Sequence, residues 1–494
     1  MPYPLFANSE MMAWLSESWV VLVAAGGFLL EFGCGIHAVL NKRDTRSAIL
    51  WVGLIYLTPL IGAVLYILFG VNRIERKAKR LRSRKSYQRT FYKESRVPAE
   101  PSGENLPAAA RHLESLVPLL DTLTEQPLLE GNNCRPLWGG KLAYAEMLAA
   151  IGDARDSINL CTYIFDNDLL GKQFIAALAA AVQRGVAVRV LIDDVGSRYS
   201  WPTVVGPLRA AGVQVECFMR TFLPTRFAYS NLRLHRKIMV IDGQTGFTGG
   251  MNIRAGTCGE DPHRCAPLED LHFLCAGPVV GQLQEAFAED WYFTTQEILD
   301  NERWFPEISP AGKMLARGAP SGPDEDRGEL RTTLVAAITL AKQRIVIMTP
   351  YFLPDDTLIE ALHVAVLRGV RVDIILPATN NLQLVQWACQ GTLPLVLERD
   401  CRVWKTPGIF DHSKLLVVDG VWTLFGSANW DPRSLRLNFE FNVECYDETL
   451  VRELLVHADR RIAGAVRITR DALHRRQWLI KLRDGVARLF SPML

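Results

Sequence analysis

The sequence predicts an α/β protein in which two related lobes, each a mixed β-sheet flanked by helices, follow an N-terminal two-helix transmembrane hairpin. Three observations support this fold class. Two long apolar stretches open the chain, an alternating helix and strand pattern then occurs twice, and each copy of that pattern ends in the same group of polar residues. With 494 residues, 49% of them hydrophobic, the chain is long enough for two ordinary domains and an appendage.

The first predicted element is a helical hairpin within residues 1–72. Its apolar stretches run over 19–40 and 48–70, and each has about the 20 residues that a helix needs to cross a bilayer. A cleaved signal peptide has a basic residue before a shorter apolar core, whereas Glu10 and Glu17 precede the first stretch here. Two buried helices of a soluble core are the alternative, but such helices usually keep a polar face. We therefore expect a retained, membrane-embedded hairpin.

A basic segment and linker is predicted over residues 73–104. Its positive charges cluster at the start, at Arg73, Arg76, Lys77, Lys79, Arg80, Arg82, Arg84 and Lys85. Positive charge beside a span favours the cytoplasmic side, so the lobes are expected in the cytoplasm. The same cluster would attract anionic headgroups, although a stop-transfer flank without lipid selectivity is the alternative. The formal net charge of the whole chain is +2, which is too small to indicate nucleic acid as a partner.

A repeat organises the rest of the chain. Helix, strand, helix and strand occur over residues 144–194 and again over 332–377, and Arg-Gly-Val precedes the last strand in both copies. Such alternation indicates a layered sheet with helices on both faces, and two such halves can share one cleft about a pseudo-twofold axis. The predicted lobes are 105–305 and 306–494. The second ends in a basic amphipathic helix at 470–490, whose apolar stripe is expected either on a membrane surface or against the protein body.

Each copy ends in one compact polar group of the form HxKxxxxD, followed by a small-residue turn and an asparagine. The members are His235, Lys237, Asp242 and Asn252 in the first copy, and His412, Lys414, Asp419, Ser427 and Asn429 in the second. Side chains alternate along a strand, so the His and Lys of each motif point to the same face. A single HxK occurs often by chance, whereas two copies with the same spacing inside a repeat do not.

These residue types match the needs of phosphodiester chemistry. One imidazole can attack phosphorus, and the other can protonate the departing alcohol and later deprotonate an acceptor. Lysine and asparagine side chains can neutralise and orient the remaining phosphate oxygens. A histidine in this role needs a carboxylate to hold its tautomer, and the candidates are Asp270 after the first motif and Glu440 after the second. Asp242 and Asp419 lie on the opposite strand parity, which favours a structural role.

The ten cysteines indicate a reducing compartment, because they form neither a CxxC motif nor a regular framework. Cys258, His263 and Cys265 lie close together in the chain and suggest a metal site or a disulfide. They do not make a complete ligand set, so a surface loop is the preferred interpretation. We expect no metal and no cofactor.

The paired motifs, with GGMN and GSANWDPRS after them, resemble the HKD motifs of the phospholipase D superfamily over roughly residues 105–460. The resemblance implies two phospholipase D-like lobes, one shared site, a phosphohistidine intermediate and independence from metals. It also implies catalytic or supporting roles for His235, Lys237, Asp242, Asn252, Asp270, His412, Lys414, Asp419, Ser427, Asn429 and Glu440. The family usually assigns the nucleophile to the N-terminal histidine. Gly250 replaces the more usual serine of the first motif, so no hydroxyl is available there.

Within the superfamily, the hairpin, the phrase HRKIMVIDGQTGFTGGMNIR and the tail NFEFNVECYD resemble bacterial cardiolipin synthases. That family joins two phosphatidylglycerol molecules and releases glycerol, which implies anionic membrane lipids as partners and a multi-pass location in the bacterial inner membrane. A phospholipase D-type hydrolase is an alternative, because the acceptor is not fixed by the motifs. A synthase with phosphatidylethanolamine as donor, a membrane-tethered nuclease or phosphodiesterase, and a scaffold without activity are further alternatives.

Overall fold

The computed structural model describes residues 7–42, 45–70, 106–220, 232–258, 267–323 and 328–491. These fall into two compact units, an N-terminal unit over 7–70 and a main unit over the remainder. The basic cluster between Arg73 and Lys85 lies outside the described residues. His263 and Cys265, two members of the suggested metal group, also lie outside them.

The N-terminal unit contains one helix that is long and apolar enough to cross a membrane, judged over the described residues. This helix, α1 (Ala7–Asn41), contains the candidate span Val21–Asn41. The second predicted stretch is interrupted, because α2 (Thr45–Leu57) and α3 (Ile61–Leu65) are separate and a π-helical turn (Tyr66–Gly70) follows. Leu60, at the interruption, has a φ of 62°, outside the right-handed helical region. Two spans therefore remain a prediction, with only the first visible as a continuous helix in the described part.

Polar side chains of α1 bind the interrupted second stretch. Glu31 Oε1 accepts a hydrogen bond from the backbone N–H of Leu60 at 2.8 Å, and His37 Nδ1 lies 2.8 Å from the hydroxyl of Tyr66. A break in a helix leaves backbone groups without intrahelical partners, and such groups are costly in an apolar medium. Glu31 is thus explained by the break in the second stretch, whereas His37 binds a side-chain hydroxyl beyond the break.

The main unit is built on one continuous sheet of fifteen strands. Their order is β17-β12-β11-β10-β14-β15-β16-β9-β1-β8-β6-β5-β2-β3-β4. The two further strands, β7 and β13, pair with each other in parallel. The strands are β1 (Leu129–Trp138), β2 (Ser157–Thr162), β3 (Ala187–Asp193), β4 (Gln214–Phe218), β5 (Ile238–Ile241), β6 (Thr245–Gly249), β7 (Leu268–Glu269), β8 (Leu271–Ala276), β9 (Met314–Ser321), β10 (Arg344–Met348), β11 (Arg371–Pro377), β12 (Arg402–Thr406), β13 (Phe410–Asp411), β14 (Leu415–Val418), β15 (Trp422–Gly426), β16 (Glu440–Tyr446) and β17 (Val466–Ile468).

Helices cover both faces of this sheet. They are α4 (Leu116–Thr124), α5 (Gly139–Asp153), α6 (Leu169–Gln183), α7 (Val205–Ala210), α8 (Val279–Thr295), α9 (Glu329–Leu340), α10 (Asp356–Leu367), α11 (Gln383–Val396), α12 (Pro432–Arg436), α13 (Glu448–Ala463), α14 (Arg470–His474) and α15 (Trp478–Leu489). Short 3-10 helices occur at Ala108–Leu113, Gly196–Tyr199, Ala255–Cys258 and Leu397–Arg399.

The predicted repeat is visible in the strand order. Outward from the central β9–β1 pair, one half runs β1, β8, β6, β5, β2, β3, β4 and the other runs β9, β16, β15, β14, β10, β11, β12. Each lobe has its own core on one face, and a third core on the other face is common to both. In that shared core Phe273 of β8 stacks on Phe425 of β15 with ring centroids 3.5 Å apart. The lobes are therefore halves of one layered body.

The segment before β1 packs differently from the sequence prediction, which placed it in the first lobe. Leu113, Leu116 and Leu120 are fully buried in the core of the second lobe. A hydrogen bond between His112 Nε2 and Asp419 Oδ2, at 2.7 Å, holds the same segment to the second motif. No helix is predicted here from the sequence, and position in the chain carries no information about which of two similar lobes this segment covers.

Candidate active site

The two HxK segments lie immediately before buried strands at equivalent places in the sheet. His235 and Lys237 precede β5, and His412 and Lys414 precede β14, with all four side chains largely buried. The neighbouring strand β6 ends at Gly249, whose φ is 147°. A Cβ there would lie 2.7 Å from the carbonyl oxygen of Leu271, so only glycine allows the close approach of β6 and β8.

Each catalytic histidine candidate is bound to a carboxylate of the opposite lobe. His235 Nδ1 lies 2.8 Å from Glu440 Oε2, and His412 Nδ1 lies 2.7 Å from Asp270 Oδ2. The order along the chain associates each carboxylate with the motif before it, and the structure contradicts that association. The physical reason is the sheet: β8 and β16 lie on either side of the central pair, where their N-terminal ends reach across to the other lobe.

Backbone hydrogen bonds make the same crossing. The N–H of His235 donates to the carbonyl of Phe439 at 2.9 Å, and the N–H of His412 donates to the carbonyl of Glu269 at 2.7 Å. Each histidine is therefore held by its backbone to the residue that precedes its own carboxylate. Because Nδ1 of each imidazole donates to the carboxylate, Nε2 is the nitrogen left for chemistry.

The lysines sit against the histidines of their own motifs. Lys237 Nζ donates to the carbonyl of His235 at 2.7 Å. Lys414 Nζ donates to the carbonyl of His412 and lies 2.8 Å from its Nδ1. Each lysine also influences the histidine of the other motif electrostatically. The four side chains thus form one shared site, as the sequence predicted for two halves about one cleft.

Burial dominates the ionisation of this site. Loss of solvent lowers the pKa of both His235 and His412 to about 4, against the opposing effect of their carboxylates. Burial also lowers the pKa of Lys237 to about 7 and that of Lys414 to about 8. In the empty site near pH 7 both imidazoles are therefore neutral, and one of them is ready to act as a nucleophile.

The two carboxylates are ionised despite their burial. Burial alone would raise the pKa of Asp270, but Lys414 and His412 outweigh it and lower the pKa. In the same way, His235 and Lys237 outweigh the burial of Glu440 and lower its pKa. The positive charge that faces an entering phosphate therefore comes from the two lysines and not from the imidazoles.

Glu440 has additional neutral donors, two of which sequence reasoning missed. The hydroxyls of Ser427 and Ser434 donate to it at 2.5 and 2.7 Å, and Asn438 Nδ2 donates at 3.0 Å. Ser427 was predicted as a supporting residue. Ser434 and Asn438 follow the second motif closely in the chain, but neither belongs to the pattern that the two copies share.

Asp270 has a different setting, which explains the glycine in the first motif. A Cβ at Gly250 would lie 2.1 Å from Asp270 Oδ1, so no serine fits where the second motif has Ser427. Asp270 instead accepts the backbone N–H of Leu271 at 2.8 Å. The shorter Asp270 lies next to Gly250 and binds His412. The longer Glu440 lies next to Ser427 and binds His235.

The two motif asparagines are buried. Asn252 Oδ1 accepts the backbone N–H of Ile164 at 3.0 Å, which fixes its amide group. The backbone N–H of Asn429 donates to Ser434 Oγ at 3.1 Å. Asn429 Oδ1 is buried with no hydrogen-bond partner among the described residues. Asn252 Nδ2 can therefore donate to a phosphate oxygen, and Asn429 Oδ1 can accept a hydrogen bond from an alcohol.

Asp242 and Asp419, the last residues of the motifs, bind backbone N–H groups and neither of the motif histidines. Asp242 accepts the N–H groups of Arg155, Asp156 and Ser157 at 2.7–2.9 Å. Asp419 accepts three equivalent N–H groups at the start of β10. Both occupy the left-handed region, with φ of 50° and 52°. This geometry supports the structural role that strand parity indicated.

Two tyrosines at equivalent positions of the two copies line the site, and neither was assigned to it from the sequence. Tyr163 makes an edge-on contact with His235 at 5.3 Å between ring centroids, and Tyr351 does the same with His412 at 6.0 Å. Lys237 Nζ lies 5.8 Å from the Tyr163 ring centroid. Their equivalent positions in the two copies are the signal that could have identified them.

Comparison with known proteins decides the family. The model described as cardiolipin synthase, PLD-like domain matches residues 147–291 and 334–462, one segment in each lobe. The chain belongs to the family of phospholipase D-like cardiolipin synthases. A second model, the phospholipase D-nuclease N-terminal model, matches residues 34–70. This match and the apolar helix α1 indicate association with a membrane.

Members of this family match the chain over nearly its whole length. The major cardiolipin synthase of Bacillus subtilis is 31% identical and covers 94% of this chain and 98% of its own. Cardiolipin synthase A of Pseudomonas fluorescens is 34% identical and covers 93% and 95%. The crystal structure of a phosphatidylserine synthase from Haemophilus influenzae has the same fold, with a TM-score of 0.60 at 14% identity over 77% of this chain and 100% of that one.

Proposed function

We propose that the protein is a cardiolipin synthase that transfers a phosphatidyl group from one phosphatidylglycerol to another and releases glycerol. The observation that carries this proposal is the crossed pair of histidines and carboxylates. Two neutral imidazoles, each held by an anion of the other lobe, lie in one buried site with two lysines. The family's cardiolipin synthases match this chain over both lobes and the N-terminal unit.

In the first half-reaction, His235 Nε2 attacks phosphorus and the bond from phosphorus to the glycerol oxygen breaks. His412 gives that oxygen its proton, so glycerol leaves as a neutral alcohol. His412 must be protonated for this step, and the anionic phosphodiester raises the pKa of a neighbouring imidazole when it enters. Lys237 and Lys414 neutralise the non-bridging oxygens.

In the second half-reaction, the neutral His412 takes a proton from the hydroxyl of the second phosphatidylglycerol. The resulting oxygen attacks phosphorus, the bond to His235 Nε2 breaks, and cardiolipin is formed. Glu440 shares its charge with Ser427, Ser434 and Asn438, which weakens its hold on a proton at His235. That favours His235 as the neutral nucleophile and His412 as the acid and base.

The location proposed is the bacterial inner membrane, with the lobes on the cytoplasmic side and a multi-pass N-terminal hairpin. Helix α1 and the cluster of positive charge that begins at Arg73 support this arrangement. Both substrates are anionic lipids of that membrane. A buried site at the bilayer keeps water from the phosphohistidine, which transfer to a lipid alcohol requires. The predicted end of the hairpin at residue 72 and the predicted end of the first lobe at residue 305 remain part of the proposal.

The test supplies the purified full-length protein with labelled phosphatidylglycerol as sole lipid, in vesicles that contain EDTA, and follows cardiolipin, glycerol and phosphatidic acid. Equal amounts of cardiolipin and glycerol are expected, and both are lost in His235→Ala and His412→Ala. The control is His474→Ala, which changes an exposed histidine outside the motifs. Phosphatidic acid as the main product would indicate a hydrolase, and no turnover without another lipid or a nucleic acid would indicate a different donor.

A further inference from the structure

Helix α15, near the C-terminus, packs in the opposite sense to an ordinary amphipathic helix. Its buried residues are Asp484 and Ala487, whereas its large apolar side chains are exposed. The exposed set is Trp478, Leu479, Leu482, Val486, Leu489 and Phe490, with exposed fractions from 46% for Val486 to 75% for Leu489. Their spacing places them on one face of the helix, opposite the buried pair. The apolar stripe that the sequence indicated therefore does not pack on the protein body.

The inverted packing is fixed by specific contacts rather than by loose docking. Gly391 of α11 lets the two helices approach closely, because a Cβ there would lie 2.5 Å from the carbonyl oxygen of Asp484. The carboxylate of Asp484 is held by Arg476 at 2.6 Å and by Arg483 at 2.8 Å. Rotation of the helix that turned its apolar face inward would break the ion pair between Asp484 and Arg476 and the close approach at Gly391.

A polar groove of about 410 Å³ lies beside the apolar face. Its lining is Gln383, Gln386, Trp387, Gln390, Arg476 and Arg483. The guanidinium of Arg483 lies 4.6 Å from the centre of the Trp387 ring. Two guanidinium groups against one carboxylate leave this groove with a net positive charge, and amide side chains supply further donors. Lys481 and Arg488, both exposed on α15, add positive charge along the helix.

We propose that α15 and this groove are a second membrane-contact surface, which docks the main unit on a bilayer of anionic phospholipids. The exposed apolar side chains enter the boundary between headgroups and acyl chains, and the groove receives a lipid phosphate. An apolar face with basic residues along it is the composition that binds such a surface, and arginine suits phosphate. A lipid surface is favoured over a protein partner because the positive charge complements the anionic lipid that surrounds a membrane-associated protein of this family.

Packed side chains connect the buried side of α15 to the active site. Ala487 packs in a small core with Leu353 and Cys389, and Tyr351 packs against that core. Tyr351 is the tyrosine that contacts His412. Docking through α15 therefore places the bilayer on the outer side of a helix whose inner side is packed toward the second histidine.

The test measures lipid contact rather than turnover, so it is independent of the proposed reaction. The full-length protein, with Cys258 and Cys265 replaced by serine, carries a fluorescent label at Leu482→Cys and is reconstituted in vesicles with brominated acyl chains. Quenching of at least about half the fluorescence is expected with phosphatidylglycerol and phosphatidylcholine in equal parts. The matched control is Leu367→Cys on α10, which is 71% exposed and should not be quenched. Equal quenching at both positions, or none at Leu482→Cys, would overturn the proposal. A label at Leu482→Cys that is shielded from water but not quenched would assign this face to a protein partner instead.

Two further variants test the charge and its use. Arg476→Gln with Arg483→Gln should make quenching of the label at Leu482→Cys equal in vesicles with phosphatidylglycerol and in vesicles of pure phosphatidylcholine. The control pair, Arg452→Gln with Arg460→Gln on the exposed side of α13, should leave the stronger quenching with phosphatidylglycerol unchanged. Leu482→Glu with Leu489→Glu should raise KM for lipid in vesicles at least tenfold at unchanged kcat, and Val364→Glu with Leu367→Glu should not. Retained lipid preference in the arginine pair, or equal effects of the two glutamate pairs, would contradict the proposal.

Discussion

His235 and Glu440 form a hydrogen bond of 2.8 Å across the boundary between the two lobes, although Asp270 follows His235 more closely in the chain. The reciprocal pair is His412 with Asp270. Neither lobe therefore holds a complete histidine and carboxylate pair of its own. A site assembled in this way requires both repeats to be folded and joined, which explains why they share one continuous sheet.

The alkaline limb of the pH profile should report the buried lysines. Burial lowers the pKa of Lys237 to about 7 and that of Lys414 to about 8, so kcat/KM should fall as the pH rises through this range and the positive charges are lost. Lys237→Arg keeps its charge at all these pH values and should move the limb upward, even if the maximum rate falls. An unchanged limb in the variant would show that another group controls it.

His272 should make the fold sensitive to acid without taking part in catalysis. It is buried, its Nδ1 has no hydrogen-bond partner among the described residues, and burial lowers its pKa from 6.5 to about 4. The folded state resists protonation, so stability is intact above pH 6.5 and falls progressively toward pH 4. His272→Asn copies Asn442, the equivalent residue of the second lobe, and should reduce the loss between pH 7 and 4 by up to about 3 kcal/mol. Urea unfolding at pH 7 and pH 4 measures the loss of unfolding free energy in the parent and the variant. An equal loss in both proteins would show that His272 is not the cause.

Gly250→Ser should inactivate the enzyme although it restores the usual residue of the motif. The new Cβ would lie 2.1 Å from Asp270 Oδ1 and must displace that carboxylate from His412. We expect kcat to fall at least about 100-fold, the scale of a lost acid–base group, and the displaced buried carboxylate should also lower the midpoint of thermal unfolding. Gly152→Ser, on α5, is the control, because a Cβ there meets nothing within 4 Å. Full activity of Gly250→Ser would show that the orientation of Asp270 is not needed.

Asp242→Asn should weaken the fold rather than the chemistry. Its carboxylate accepts three backbone N–H groups at the start of β2, and the amide can satisfy fewer of them. The expected loss is about 1–3 kcal/mol of unfolding free energy, with kcat within about twofold of the parent. Asp419→Asn should behave in the same way. A large fall in kcat at unchanged stability would return these aspartates to the catalytic group.

The repeat, the paired motifs and the face shared by each His and Lys could be predicted, because strand periodicity and spacing are local properties of the chain. The partner of each histidine could not, since proximity in the chain does not determine which lobe a loop reaches. The break at Leu60 and the interaction of Glu31 with it depend on packing between helices. The outward face of α15 was left open by its sequence, because an amphipathic pattern does not distinguish a protein core from a membrane.

The crossed site is tested most directly by trapping the covalent intermediate with a phosphatidyl ester of p-nitrophenol, whose leaving group needs no proton. In Asp270→Asn only the function of His412 is impaired, so the intermediate should form at a rate close to that of the parent and accumulate on His235. In Glu440→Gln its formation should slow at least about 100-fold, since His235 loses its carboxylate. Peptide mapping by mass spectrometry locates the modified residue. Rapid formation in Glu440→Gln together with its loss in Asp270→Asn would contradict the account.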